Sequence, residues 1–135
     1  MKVKAKLIVS KEDKFLVLKK KGDKCKYGFL GGNVKKTESP KRGALREAFE
    51  EGGVVVDNKH VHFLISVIER HKKEYYTTHY FITSSVETFK LGEPHKFDDI
   101  LWLSKNQIEN YIGKQDCEVL YFLTNTSDYK SINKW

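Results

Sequence analysis

Apolar positions recur with a period of two at the start of the chain, where Val3, Ala5, Leu7 and Val9 alternate with other residues. This predicts a strand with one buried face. A second apolar block, Phe15 to Leu18, follows after Ser10 to Lys14, a gap that lets the two blocks pair as a hairpin. Lys19 to Lys26, KKKGDKCK, reads as a basic loop with a turn at Gly22 and Asp23. Tyr27 to Leu30 then runs into Gly31-Gly32. Ser39-Pro40 signals a helix start, since serine caps an N-terminus well and proline suits the first helical position. That helix is predicted to reach about Glu51 and to stop at Gly52-Gly53. Val54 to Val56, Val61 to Glu69 and Tyr75 to Val86 are rich in β-branched and aromatic residues and read as strands, and Leu101 to Leu103 reads as a last short one. Ser104-x-x-Gln107 is a capping box that opens a second helix, which Cys117 to Leu123 continues. No repeat or long linker interrupts this order, so residues 1–135 are expected to form one domain of α/β or α+β class around a mixed sheet.

Composition narrows the setting. Apolar residues make up 39% of the 135, enough to bury a core at this length, and the 32% charged residues are mixed in sign. No apolar run approaches the roughly 18 residues that span a bilayer, and the amino terminus has too short an apolar core for a signal peptide; a cytoplasmic protein without a membrane partner is expected. Cys25 and Cys117 stand far apart and read as free thiols. His60, His62, His71, His79 and His95 lack a metal-ligand spacing and read as strand-surface residues, with His60 and His62 on one face. The net charge of +7 favours polyanions as partners, nucleotides and RNA among them.

The chemistry concentrates between Gly32 and Val54. On a helical wheel Glu47, Glu50 and Glu51 fall at about 0°, 300° and 40°, on one face. Leu45, Ala48, Phe49 and Gly52 fall at about 160°, 100°, 200° and 140°, so this side is predicted to pack on a sheet while the acids point away. Three acids so placed repel one another, and the negative end of the helix dipole disfavours Glu50 and Glu51 further. A hard divalent cation reverses that penalty, because carboxylate and carbonyl oxygens are the ligands magnesium prefers. An isolated trio would read equally as a solvated helix face. This trio, however, stands in the pattern G-x5-E-x7-R-E-U-x-E-E-x-G-U, with U aliphatic. Every fixed position is met, at Gly32, Glu38, Arg46, Glu47, Ala48, Glu50, Glu51, Gly53 and Val54. A chance match in a chain this long is on the order of one in ten million.

The pattern is the Nudix box, and the segment resembles that family without a gap. Tyr27-Gly28-Phe29-Leu30-Gly31-Gly32 resembles the family's aromatic strand leading into the box, and Asp99-Ile100-Leu101-Trp102 its acid-x-x-tryptophan strand. Leu30 stands where the family often has proline, and Thr37 where it often has glycine; neither change removes an expected ligand. The resemblance implies an α/β/α sandwich around a mixed sheet. It implies that Glu47, Glu50 and Glu51 bind magnesium, for which manganese can substitute, with the carbonyl of Gly31 as a further ligand. It also implies a supporting ion pair between Arg46 and Glu38, in which the planar guanidinium pins the loop against the ligand-bearing helix. Glu50 or Glu47 is the first choice for the base that takes a proton from water, and Asp99 an outside one.

The implied reaction is hydrolysis of the pyrophosphate bond of a nucleoside diphosphate linked to another group. Charge and size favour a nucleoside triphosphate or an oxidised one, giving monophosphate and pyrophosphate. Dinucleoside polyphosphates, ADP-ribose and RNA 5′ ends are the alternatives. Lys20 and Lys24 of the basic loop are candidate phosphate contacts, and Tyr27 and Phe29 candidate base contacts, although strand aromatics such as Tyr75, Tyr76 and Tyr80 are more often core. A non-catalytic sensor on the same fold would be expected to have lost carboxylates that are intact here. A plain nucleic-acid-binding domain would need clustered arginines, and Arg42, Arg46 and Arg70 are the only ones. The sequence does not speak to oligomeric state.

Overall fold

The alternation that begins at Val3 produces a long first strand, β1 (Lys2–Lys11), and both of its faces become buried beyond Lys6. In the computed structural model, which describes residues 2–21, 26–84, 92–93 and 95–125, β1 is central to the sheet. It turns through Glu12 and Asp13, both with positive φ (52° and 61°), into β2 (Lys14–Lys20). The pair Lys11↔Lys14 closes this two-residue hairpin, whose left-handed residues match the twist of the strands. The predicted turn at Gly22 and Asp23 lies outside the described residues, as does Cys25.

The predicted strand from Tyr27 is broken at Phe29 into β3 (Tyr27–Gly28) and β4 (Leu30–Asn33). Helix α1 (Pro40–Gly52) has the predicted boundaries: Ser39 Oγ accepts from the Arg42 amide, and Gly53 ends the helix at φ 58°. Val54 to Val56, expected as a strand, is irregular. The amide of Val54 donates to the Ala48 carbonyl (3.2 Å) and so completes the helix end rather than entering a ladder. His60 belongs to a short 3₁₀ turn, Asn58–His60, and does not share a strand face with His62. The antiparallel pair β5 (His62–His71) and β6 (Glu74–Thr83) follows, and then β7 (Phe97–Ser104), longer than predicted. The capping box at Ser104 opens only the four-residue α2 (Lys105–Ile108). A separate helix, α3 (Lys114–Thr124), starts after Gly113.

The strands run β3-β2-β1-β6-β5, with β4 also paired to β1 and β7 to β2. β1 and β6 are parallel and the remaining pairs antiparallel, which makes the sheet mixed. Side chains alternate across β1: Ala5, Leu7 and Val9 join Ala44 and Ala48 of α1, while Ile8 joins Val119 and Leu123 of α3. One helix therefore covers one face and α2 with α3 the other, which explains why β1 shows no exposed face in its second half. Cys117 is a free, half-buried thiol. Among the described residues no helix is long and apolar enough to cross a membrane.

Candidate active site

Helix α1 turns Gly43, Ala44, Ala48 and Gly52 toward the sheet, and side chains this small let the two approach closely. At Gly52 an added Cβ would lie 2.7 Å from Leu30 Cδ2 and 2.8 Å from Ile100 Cδ1, so any larger residue there would have to displace these two side chains. This close approach draws Glu51 beneath the helix, where it is only 6% exposed. Its Oε1 accepts the Gly31 amide at 2.8 Å. The expectation that all three acids point away is thus corrected. The buried arc is centred near Ala44 and Ala48, at about 60° and 100° on the wheel used above, which takes in Glu51 and turns Phe49 outward to 61% exposure. Glu47 rests on Gly32, where a Cβ would come within 2.7 Å of its Cδ. Glu50 is the most exposed of the three.

Arg46 ties these groups together. Its Nη2 donates to Glu38 Oε1 (2.7 Å) and to the Asn33 carbonyl (3.0 Å), and its Nε to Glu38 Oε2 (3.1 Å). Its Nη1 donates to Glu47 (2.9 Å) and Glu50 (3.2 Å). The planar fork holds Glu38 at about pKa 2, with help from the Lys35 amide, and Glu38 in return keeps Arg46 firmly protonated. Burial pushes the Glu51 carboxyl up to about 8; the Gly31 amide opposes this, and the charges of Glu47 and Glu93 add to it.

The donor set fits a hard divalent cation, since Glu47 and Glu51 rest on the side-chain-free Gly31-Gly32 segment, Glu50 shares Arg46 with Glu47, and the buried Glu51 has no ion-pair partner among the described residues. Among the described residues no three such side chains already meet at one point. Glu47 and Glu50 lean on Arg46 and Glu51 on Gly31, so a shared ion requires side-chain rotation.

The remaining sequence candidates are dispersed. Tyr27 is half-buried and packs edge-on against Tyr111, with centroids 5.3 Å apart. Phe29 is buried in the core beside Tyr80 and offers no free ring face. Lys20 is exposed at the end of β2, and Lys24 lies outside the described residues. Asp99 is exposed, with Oδ1 accepting the Ile100 amide at 2.8 Å. Two features had no signal in the sequence. The Gly92 amide donates to the Glu51 carbonyl (2.7 Å), which brings Glu93 and its partner Lys96 to the helix end. Across the sheet, Asp116 of α3 is buried between Lys6 Nζ (2.9 Å) and the Tyr80 hydroxyl (2.6 Å).

A mixed sheet between helices, with a glutamate-bearing helix end docked on a Gly-Gly strand, defines the class. The NUDIX domain profile matches residues 2–121, and the chain belongs to the Nudix family of hydrolases; it is a Nudix pyrophosphohydrolase. No curated protein sequence matches it. Among solved structures it is similar to a MutT NUDIX hydrolase from Burkholderia pseudomallei (TM-score 0.79, 18% identity, covering 89% of this chain and 95% of that one). It is also similar to an Ap4A hydrolase from C. elegans (TM-score 0.71, 15% identity, 93% and 100%). A third is a bifunctional NMN adenylyltransferase/ADP ribose pyrophosphatase from Francisella tularensis, complexed with AMP and a manganese ion (TM-score 0.71, 14% identity, 90% of this chain but 40% of that one). At these identities the likeness shows the fold.

Proposed function

We propose that the chain hydrolyses nucleoside triphosphates, unmodified or oxidised, at an internal phosphorus to give monophosphate and pyrophosphate, with magnesium held by Glu47, Glu50, Glu51 and the Gly31 carbonyl. The observation that carries the cleavage site is the buried Glu51 carboxylate locked on the Gly31 amide and flanked by Glu47 and Glu50. The chemistry a bound magnesium, or manganese in its place, supplies is polarisation of phosphoryl oxygens and a lower pKa for water. Arg46 orients Glu47 and Glu50 from one side, and Glu38 holds Arg46 in that position, so the ligand-bearing turn and the loop before it move together. Glu50, the most exposed of the three, is the first choice to accept the proton of the attacking water, with Glu47 second. Asp99, engaged with its neighbouring amide, is the weaker alternative.

The net charge of +7 agrees with a triphosphate, the most anionic of the common mononucleotides. A panel of triphosphates, ADP-ribose, dinucleotides and RNA ends in water labelled with heavy oxygen tests the reading. Label-bearing monophosphate or pyrophosphate from a triphosphate is the expected result. Release of orthophosphate alone, or turnover confined to dinucleotides or RNA ends, overturns it, and a folded protein that binds nucleotides without turnover would be a sensor instead.

A further inference from the structure

Strand β5 is an outer strand of the sheet: it pairs with β6 on one side, and among the described residues no strand lies on the other. None of its ten residues is buried. The run Phe63 to Ile68, FLISVI, contains neither a charge nor a proline, the residues that commonly stop an edge strand from pairing with another chain. A bulge does interrupt the run, where the register shifts between Phe63 and Ile65, and it also sets the faces. Phe63 and Ile68 are five apart and would fall on opposite faces of a regular strand. The bulge instead puts them opposite Phe81 and Thr77 of β6, on the face that α1 covers further in. They remain 59% and 64% exposed, and Phe63 is held edge-on against Phe81 with centroids 5.8 Å apart.

These faces make β5 complementary to itself. An antiparallel second copy related by a twofold axis at Ser66 sets Ser66 opposite Ser66, Val67 opposite the bulged Leu64 and Ile65, Phe63 opposite Ile68, and His62 opposite Glu69. Residues directly opposed in an antiparallel pair share a face, and every one of these pairs does. Phe63 and Ile68 lie on the α1 side, whereas Leu64, Ile65 and Val67 pack on the α3 side. His62 and Glu69 point to that α3 side too, opposite Ile82 and Tyr76. The axis therefore joins each exposed Phe63 to the partner's Ile68 and each His62 to the partner's Glu69, so apolar surface meets apolar surface and no like charges oppose. A slip of one residue would set opposite faces against each other, which fixes the register.

We propose that two copies of this chain dimerise through β5, pairing antiparallel about Ser66 and continuing the sheet from one molecule into the next. The inference is independent of the substrate and of the metal site. An edge ladder stands at the small end of the range of specific interfaces, so a dissociation constant on the order of micromolar is expected.

Sedimentation of the wild type over a concentration series spanning that constant should show a monomer–dimer equilibrium. Ile68→Lys gives the strand the charge that natural edges carry and should raise the dissociation constant at least about tenfold. Tyr121→Lys, at a comparably exposed aromatic of α3 (73%), should leave it unchanged. Disulfide trapping checks the register. Under mild oxidation Ser66→Cys should link into dimers, since opposed residues of an antiparallel pair fall within disulfide reach. Arg70→Cys should link no more than wild type, because its two copies would lie roughly 26 Å apart along the ladder. A wild type that stays monomeric, its edge left to solvent or to another protein, overturns the proposal. So does an unchanged dimer in Ile68→Lys, or equal trapping of the two cysteine variants. If Ile68→Lys does not fold, the trapping comparison decides alone.

Discussion

Glu51 is a carboxylate that the fold buries and that its partners only partly repay, with one amide hydrogen bond and, among the described residues, no cation in contact. Glu51→Gln keeps an oxygen for the Gly31 amide and removes the charge, so it should lower turnover at least about a hundredfold while the protein stays folded. Near-normal kcat in a folded variant would contradict the assignment. The same group gives the metal-free protein a pH dependence of a particular sign. Its folded pKa, about 8, lies above the ordinary 4.5, so the folded state binds the extra proton and stability falls as pH rises from about 4.5 through 8. Thermal unfolding in chelator should show Tm dropping over that interval, and Glu51→Gln should flatten the curve. The shared side of the three acids was legible from their spacing. The burial of Glu51 was not, because a helical wheel ranks directions but does not say how deeply the helix sinks into its neighbour.

At the scale of the element, the depth of α1 is set by its small residues. Gly52→Ala places a methyl group against Leu30 and Ile100, and we expect a loss of about 1–3 kcal/mol in chemical denaturation, with activity falling as Glu51 is displaced. Wild-type stability would show that the helix can lift without cost. The basic segment before β3 is a second testable element. Replacing Lys20, Lys21 and Lys24 with serine should raise KM for triphosphates and weaken its dependence on salt if the segment helps to hold phosphate; an unchanged KM at low and high salt returns it to solvated surface. Helix α1 could be read closely because Ser39, Pro40 and Gly53 mark its ends chemically. Val54 to Val56 could not, because its β-branched residues suit a strand while its first amide is taken by the end of the preceding helix.

For the whole molecule, the contact that joins its two ends is the buried Asp116 with Lys6, 110 residues apart, and Tyr80. It fastens α3 to the sheet on the face opposite α1. Asp116→Asn leaves the Lys6 ammonium without its counter-charge, and a loss of about 2 kcal/mol, roughly 5–10 °C in Tm, is expected from calorimetric unfolding. A Tm within a degree of wild type would show that apolar contacts alone dock α3.

What the sequence determined by itself was local and periodic: the hairpin of β1 and β2, the ends of α1, and a box whose residue types and spacing name a phosphate-cleaving chemistry. These are legible because caps, turns and one-face spacing depend on neighbours a few residues away. The tertiary structure decided which acid is buried, that Phe49 faces outward and Phe29 inward, that Glu93 and Lys96 reach the end of α1, and that Asp116 meets Lys6 and Tyr80 across the sheet. Each of these depends on the packing distance between elements far apart in the chain, which small residues such as Gly31 and Gly52 set and no period in the sequence records.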